Sequence, residues 1–357
     1  MNRIENSPFL IKLFNWEYWS ANAFYWPMFL YGPLLALRAR HICFFTAANP
    51  GIKSGGLGVE SKFETILKVP NAFRPATLLI QSGTSFSKVL EMIATAGIGF
   101  PLIVKPDIGF RGLLVKKIKD EETLKEYLGK YDIHFLIQEF IDYPAEVGVL
   151  YYRLPDQETG SITSVTLKEF LHVSGDGMTS VLDLVHQNPR ALLQLEQVKK
   201  NYPQLLDIIP KKGEKISLGT VGNHCKGTRF INGNHLIDDQ LVHTFDKISR
   251  QIPGFNYGRF DLRCENMEAL KQGKYFKILE INGVCSEPTH IYDPNHISYF
   301  GALRSIVKHW TLIQKISSAN HRLGVPYSPF MYMLRELIDL KAYGKKIEDI
   351  SKNEDLL

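Results

Sequence analysis

A chain of 357 residues, 45% hydrophobic and 22% charged, has ordinary globular composition and enough length for two or three subdomains with substantial cores. A net charge of +5 without a dense Lys/Arg cluster argues against a nucleic-acid binder and suits an anionic small ligand. The four cysteines, Cys43, Cys225, Cys264 and Cys285, lack Cys-x-x-Cys spacing, which argues against a zinc site or a disulfide scaffold and makes a reducing cytoplasm the default location.

Ser20 to Leu37 carries no charge, is rich in Phe, Tyr and Trp, and is followed by Arg38, Arg40 and His41. It barely reaches spanning length, and Pro27, Gly32 and Pro33 interrupt it. There is no short basic start and no small-residue cleavage site, so a signal peptide is not indicated. A buried or homodimer-forming helical segment is expected, with peripheral membrane contact through residues 20–37 or a spanning helix as the alternatives. Thr46 to Gly58, rich in Gly and small residues, reads as a linker that ends this first unit, 1–58.

Lys62 to Leu67, a strand at Thr77 to Ile80 and a helix from Ser85 to Ala96 make a reduced front lobe, 59–100. Phe100 to Val115 then reads as a buried strand ending in Lys105, a glycine-bearing turn, and a second apolar strand. A lysine at the end of an apolar strand needs a permanent anionic partner, and phosphate supplies one. The turn Asp107 to Gly112 could close over phosphates with its backbone N–H groups and Arg111. It is not a Walker A loop, and Gly51-Ile52-Lys53-Ser54-Gly55-Gly56 lacks that spacing as well. Glu121 to Leu128 has helical spacing and Phe135 to Gln138 reads as a buried strand, completing a small α+β lobe at 101–153.

Within the next unit, 154–320, Gly175-Asp176-Gly177 is either a hairpin-type turn or the start of the helix suggested by Val181, Leu182 and Val185. His172, His186, His224 and His243 are scattered without a two-His metal spacing and read as surface or satisfied core residues. Leu236, Ile237, Leu241, Phe245, Ile248 and Ile252 recur at helical intervals. Two more helices are expected at Phe300 to Ile316 and Phe330 to Tyr343, and the charged tail Lys345 to Leu357 is expected to fray at the end of the last unit, 321–357.

The decisive pair of segments is Gly258 to Arg263 and Phe276 to Gly283, two strands joined by the polar stretch Cys264 to Lys274. Alternation places Arg259, Asp261 and Arg263 on one face of the first and Glu280 and Asn282 on one face of the second. If they pair as a hairpin, two carboxylates and an amide carbonyl converge, the hard ligands Mg²⁺ prefers when it also holds phosphate oxygens. The plainer alternative is an edge hairpin whose carboxylates pair with Arg259 and Arg263.

In this order the residues resemble the ATP-grasp superfamily, and within it carboxylate–amine ligases of the D-alanine–D-alanine ligase and cyanophycin synthetase type. The resemblance runs through Val104-Lys105-Pro106-Asp107, Leu136 to Ile141 with Glu146, Lys168, Gly175-Asp176-Gly177, Gly222-Asn223, Arg259-Phe260-Asp261 and Glu280-Ile281-Asn282, covering about residues 60 to 300. It implies an α+β fold in which two lobes clasp a nucleotide. It further implies that Lys105 holds the α- and β-phosphates, that Arg111 sits in the flap over the γ-phosphate, and that the backbone of Gln138, Glu139, Phe140 and Ile141 reads adenine. Glu146 resembles the ribose-binding acid, and Lys168 the lysine reaching from the opposite wall. Asp261, Glu280 and Asn282 match the magnesium ligands, with Mn²⁺ as an alternative metal. Arg259 matches the arginine that steadies the transferred group, and Lys62 resembles a lysine preceding the ATP-binding lobe in some ligases.

The implied chemistry is amide formation from ATP, a carboxylate and an amine through an acylphosphate. A phosphotransferase on the same scaffold and a non-catalytic nucleotide binder are the alternatives. The flap is poor in glycine, with Phe110 and Leu114 at positions the family often keeps small, and the run after Asn282 lacks the family's Pro-Gly turn. Neither substrate can therefore be carried over. That run passes close to the metal strand, so Ser286, Glu287 and His290 are expected at the acceptor pocket, with Glu287 receiving an amine. The alternatives are a surface acid for Glu287 and a structural histidine for His290.

Overall fold

In the computed structural model, which describes residues 7–109, 112–219 and 222–353, the strands gather into two antiparallel sheets and one short ribbon. Arg111 and Phe110, expected in the flap, lie outside the described residues. The first sheet has the order β1 (Thr77–Ile80), β4 (Phe135–Glu139), β2 (Leu102–Pro106), β3 (Lys116–Ile118). Its apolar face buries Leu102, Val104, Ile118 and Ile137 against Val89 and Ile93 of the helix Phe86–Thr95 and Leu124 and Tyr127 of the helix Glu121–Lys130. The second helix starts where Asp120 accepts from the Thr123 amide at 2.9 Å, satisfying a first-turn donor.

The second sheet has the order β11 (Phe276–Asn282), β10 (Tyr257–Cys264), β5 (Ala145–Tyr152), β6 (Ser161–Glu169), β9 (Arg229–Asn232). Val147, Val149, Phe260, Leu262 and Ile278 form its buried face, covered by Leu241, Phe245 and Ile248 of the helix Asp239–Ser249. Alternation then sends Arg259, Asp261, Arg263, Glu146 and Gly148 to the opposite face. A ribbon of β7 (His172–Ser174) and β8 (Lys215–Ser217) packs beside the helix Val181–Gln187. Both layers mix helices with antiparallel sheet, the α+β architecture expected.

Pairing redraws the expected subdivision. β1, placed in a separate front lobe at 59–100, is the edge strand of the sheet that also holds β2 and β4. β5, placed in the small lobe at 101–153, is the central strand of the second sheet, because Val147, Val149 and Tyr151 match the buried face of β10 in register. The tail does not fray at Lys345: the helix Phe330–Asn353 continues, with Tyr343, Ile347 and Ile350 on one stripe and Ile347 fully buried in the first sheet's core. The preceding helix also outruns its expected end, spanning Tyr299–Arg322. The polar connector after Cys264 contains a short helix, Met267–Lys271, capped by Asn266. Gly175 to Gly177 is a turn, with Gly177 at φ +86 and Asp176 accepting from the amides of Met178 and Thr179, both at 2.8 Å. The helix begins only after its cap, Ser180.

The stretch expected as a linker, Thr46 to Gly58, is packed. Asn49 is fully buried, donating to the carbonyls of Gly55 at 2.9 Å and Tyr257 at 2.8 Å while accepting from the amides of Asn256 and Tyr257 at 2.9 Å. A Cβ at Gly56 would lie 2.5 Å from the Gly283 Cα, so the glycines serve a backbone crossing beneath β11 rather than flexibility. Asn49→Ala removes the side-chain partner of the Asn256 and Tyr257 amides and the Tyr257 carbonyl, while the Gly55 carbonyl keeps the Val284 amide, and is expected to cost about 3 kcal/mol in urea unfolding; a loss under about 1 kcal/mol would contradict this.

At the amino terminus, the helix Met28–Ala39 buries Met28 and Leu35 against the helix Tyr299–Arg322 and leaves Phe29, Leu30, Leu34 and Leu37 exposed. The spanning alternative for residues 20–37 is corrected: among the described residues no helix is long and apolar enough to cross a membrane, since the chain turns between Tyr25 and Pro27.

Candidate active site

The uncovered faces of the two sheets border one cleft of about 740 Å³. Register places Arg259 opposite Asn282 and Asp261 opposite Glu280, so the three expected ligands do converge. The pairing then slips by one residue, and Leu279, left without a partner, turns its carbonyl to Lys105 across the cleft.

Five cations meet three carboxylates on this floor. Asp261 is gripped by Arg259 (Nη2 to Oδ2, 2.9 Å) and Lys168 (Nζ to Oδ1, 3.1 Å), and Asn282 donates to it at 2.8 Å. Burial alone would raise its pKa, but Arg259 and Lys168 outweigh burial and hold the carboxyl well below the usual range. Lys168 also reaches Glu146 at 3.0 Å, and Arg263 approaches the same carboxylate at 3.4 Å. Gly222 lies against Glu146, where a Cβ would stand 2.0 Å from Oε1. Glu280 pairs with Lys62, and against burial Lys62 and Lys105 pull its pKa down.

Lys105 is different. It is 8% exposed and donates only to neutral oxygens, Gln138 Oε1 at 3.1 Å and the Leu279 carbonyl at 3.2 Å. Burial pushes its ammonium down to about 8. The nearby Glu280 offsets this only in part; a phosphate would supply a direct anionic partner and raise that value again. Anion binding should therefore take up a proton between about pH 8 and 10, and affinity should fall as pH rises through about 8. Calorimetry with ATP in two buffers of different ionisation enthalpy reads this directly; no uptake at pH 8.5 would contradict it.

At one end of the cleft, Gln138 is buried, with its Nε2 donating to Thr77 at 3.0 Å, and Glu139 accepts from the Ala76 amide at 3.1 Å. Phe140 carries the Lys117 ammonium 3.6 Å above its ring centre, and Ile141 offers its carbonyl to Arg263 at 3.1 Å. At the other end, Glu287 and Ser286 line an adjoining recess of about 220 Å³ with Glu60, Lys62 and Arg259. Ser286 is buried and donates to the Gly283 carbonyl at 2.6 Å.

His290 is a correction. It lies in the core, its Nδ1 2.7 Å from Ser164 Oγ, and burial pushes its pKa down to about 4. Neither cavity is lined by it, because the short helix Thr289–Tyr292 turns it beneath β6 and leaves Thr289 at the cleft. Sequence reasoning missed Lys117, Trp16, Tyr25 and Glu60. It treated Arg263 only as a pairing partner, although its alternation with Asp261 placed it on the same face.

The donors fit a phosphate-bridging Mg²⁺. Among the described residues no three His, Cys, Asp or Glu side chains form a metal cage, but an ion that keeps waters and phosphate oxygens needs only one or two carboxylates, which Asp261 and Glu280 with the Asn282 amide would supply.

Residues 63–213 match the family model of the RimK-like ATP-grasp domain. Over that stretch the chain is similar to ATP-grasp domains. The match includes Lys105, the segment Gln138 to Ile141, Glu146 and Lys168, and stops before β10 and β11. No curated protein sequence matches the chain significantly. Among solved structures, the chain is similar to a bifunctional glutathione synthetase from Pasteurella multocida (17% identity, TM-score 0.37, 69% of this chain and 36% of that one). It is also similar to the VanG D-Ala:D-Ser ligase from Enterococcus faecalis (13%, 0.41, 72% and 64%) and the D-alanine–D-alanine ligase from Bacillus anthracis (15%, 0.42, 76% and 71%). The chain thus spans about a third of the first and just under two thirds of the second.

Proposed function

We propose that the ATP-grasp cleft binds ATP with Mg²⁺ and joins a carboxylate to an amine. The observation that carries this reading is Lys105, a buried cation whose hydrogen bonds go only to neutral oxygens, facing the convergent Asp261, Glu280 and Asn282. In this reading Lys105 and Lys168 hold phosphate oxygens, and the hinge from Gln138 to Ile141 takes the adenine. Glu146 borders the ribose. Asp261, Glu280 and Asn282 would hold the metal, which when bound neutralises charge on the phosphates.

The substrate carboxylate oxygen attacks the γ-phosphorus in line, the bond to the β-phosphate oxygen breaks, and ADP leaves with that electron pair. The amine nitrogen, its ammonium proton lost to solvent, then attacks the acyl carbon; the C–N bond forms, the acyl C–O bond breaks, and phosphate departs with that electron pair as the nitrogen's second proton passes to the phosphate or to water. Arg259, in the floor between the two events, spreads the negative charge, and the chain's contribution is positioning and charge neutralisation without a protein nucleophile.

The test is ADP release with Mg-ATP across carboxylates and amines, added singly and together. The ligase reading expects sustained release only with both. Release with one hydroxyl-bearing acceptor would replace it with a kinase, and nucleotide binding without release under any condition would replace it with a non-catalytic binder.

A further inference from the structure

The acceptor end of the cleft is walled by a segment that lies outside the 63–213 match. Residues 16–25 run along it, and four contacts fix them there. Glu17 is buried against Arg190 Nη2 at 2.6 Å and His224 Nε2 at 2.9 Å, and Tyr18 stacks on His224 with ring centres 5.6 Å apart. The Phe24 carbonyl accepts from Tyr299 at 3.0 Å. Trp16 stacks on Phe24 and on Tyr292, with centroids at 5.8 and 6.3 Å, so Trp16, Phe24, Tyr25, Phe230 and Tyr292 make an aromatic wall.

At the foot of this wall stands Glu287. Both carboxylate oxygens accept phenol protons, one from Tyr25 and the other from Tyr292 at 3.0 Å. No cation among the described residues lies within ion-pair distance of its carboxylate, although Arg259 donates to its backbone carbonyl at 3.1 Å. Two neutral donors leave the carboxylate without a direct ion pair, only Arg259 acting on it at longer range, at the edge of a largely apolar chamber. The complement is a cation carried on an apolar body.

We infer that residues 16–25 are the specificity wall of the acceptor site, and that the acceptor is a primary amine on an apolar body, its ammonium on Glu287 and its body against Trp16 and Tyr292. This rests on the ligase reading but uses residues outside the nucleotide site. The ammonium would sit on the residue whose own carbonyl Arg259 binds, beside the phosphoryl group that Arg259 faces.

Tryptophan emission tests it, because Trp16 and Trp19 line this end of the cleft. Phenethylamine, ethylamine and butyrate are titrated into the full chain, with a fluorescent ATP analogue bound in a separate experiment. Expected is saturable binding of phenethylamine at least about tenfold tighter than ethylamine, with butyrate inert. Glu287→Gln should weaken both amines, and Trp16→Ala should weaken phenethylamine while sparing ethylamine. If Glu287→Gln fails to fold, Tyr25→Phe decides, since it keeps the ring and removes one phenol; several-fold weaker amine binding is expected. Equal affinity for the two amines, binding of butyrate, or wild-type affinity in Glu287→Gln or Tyr25→Phe would overturn the inference. Failure of the ATP analogue to bind would count against the nucleotide reading and leave this result standing on its own.

Discussion

Lys105→Met is expected to lower kcat/KM for ATP by about ten- to two-hundredfold while leaving the unfolding midpoint level or higher. The activity loss follows from removing one charge-assisted contact to phosphate, worth about 1.5–3 kcal/mol. The stability result follows from its surroundings: the ammonium is buried, pushed down to about 8, and meets only a glutamine oxygen and a carbonyl. A methionine of similar length removes that desolvation cost. Since the folded-state pKa lies below the unfolded one, the charged lysine opposes folding below about pH 8, and the opposition fades as pH rises towards 10. The gain from Met should therefore shrink at alkaline pH. Wild-type kinetics in the variant, or a collapse of its stability, would contradict the assignment.

Asp261→Asn is expected to behave oppositely, losing both turnover and stability. Its carboxylate compensates Arg259 and Lys168 together, and removing the charge leaves two buried cations facing each other. Breaking a buried pair in this way costs about 3–5 kcal/mol in urea unfolding. Turnover should fall by at least about a hundredfold, because the same carboxylate is the central metal donor in the proposed site and positions Arg259. Added Mg²⁺ should not restore it. Wild-type turnover at ordinary Mg²⁺ would remove Asp261 from the site.

The contrast between these two residues marks what the sequence disclosed. Period-two alternation put Asp261 with Arg259 and Glu280 with Asn282 on common faces, and register then brought the two strands together as expected. The same reading could not see the one-residue slip at Leu279, which supplies the carbonyl for Lys105, because a bulge leaves no mark on the hydrophobic pattern. His290 follows the metal strand closely in sequence, yet a short helical turn buries it against Ser164. The packed path of Thr46 to Gly58 was hidden for a related reason: glycine signals a turn and a close backbone approach equally well, and only the Gly56–Gly283 crossing tells them apart. Tyr25 and Glu287 are 262 positions apart, and nothing local to either announces their contact.

Binding of a non-hydrolysable ATP analogue by titration calorimetry, with and without Mg²⁺, tests the central claim most directly. The account predicts one site per chain, tighter with Mg²⁺, and weakened about ten- to two-hundredfold in Lys105→Met. No binding, or equal affinity in the wild type and Lys105→Met, would contradict it.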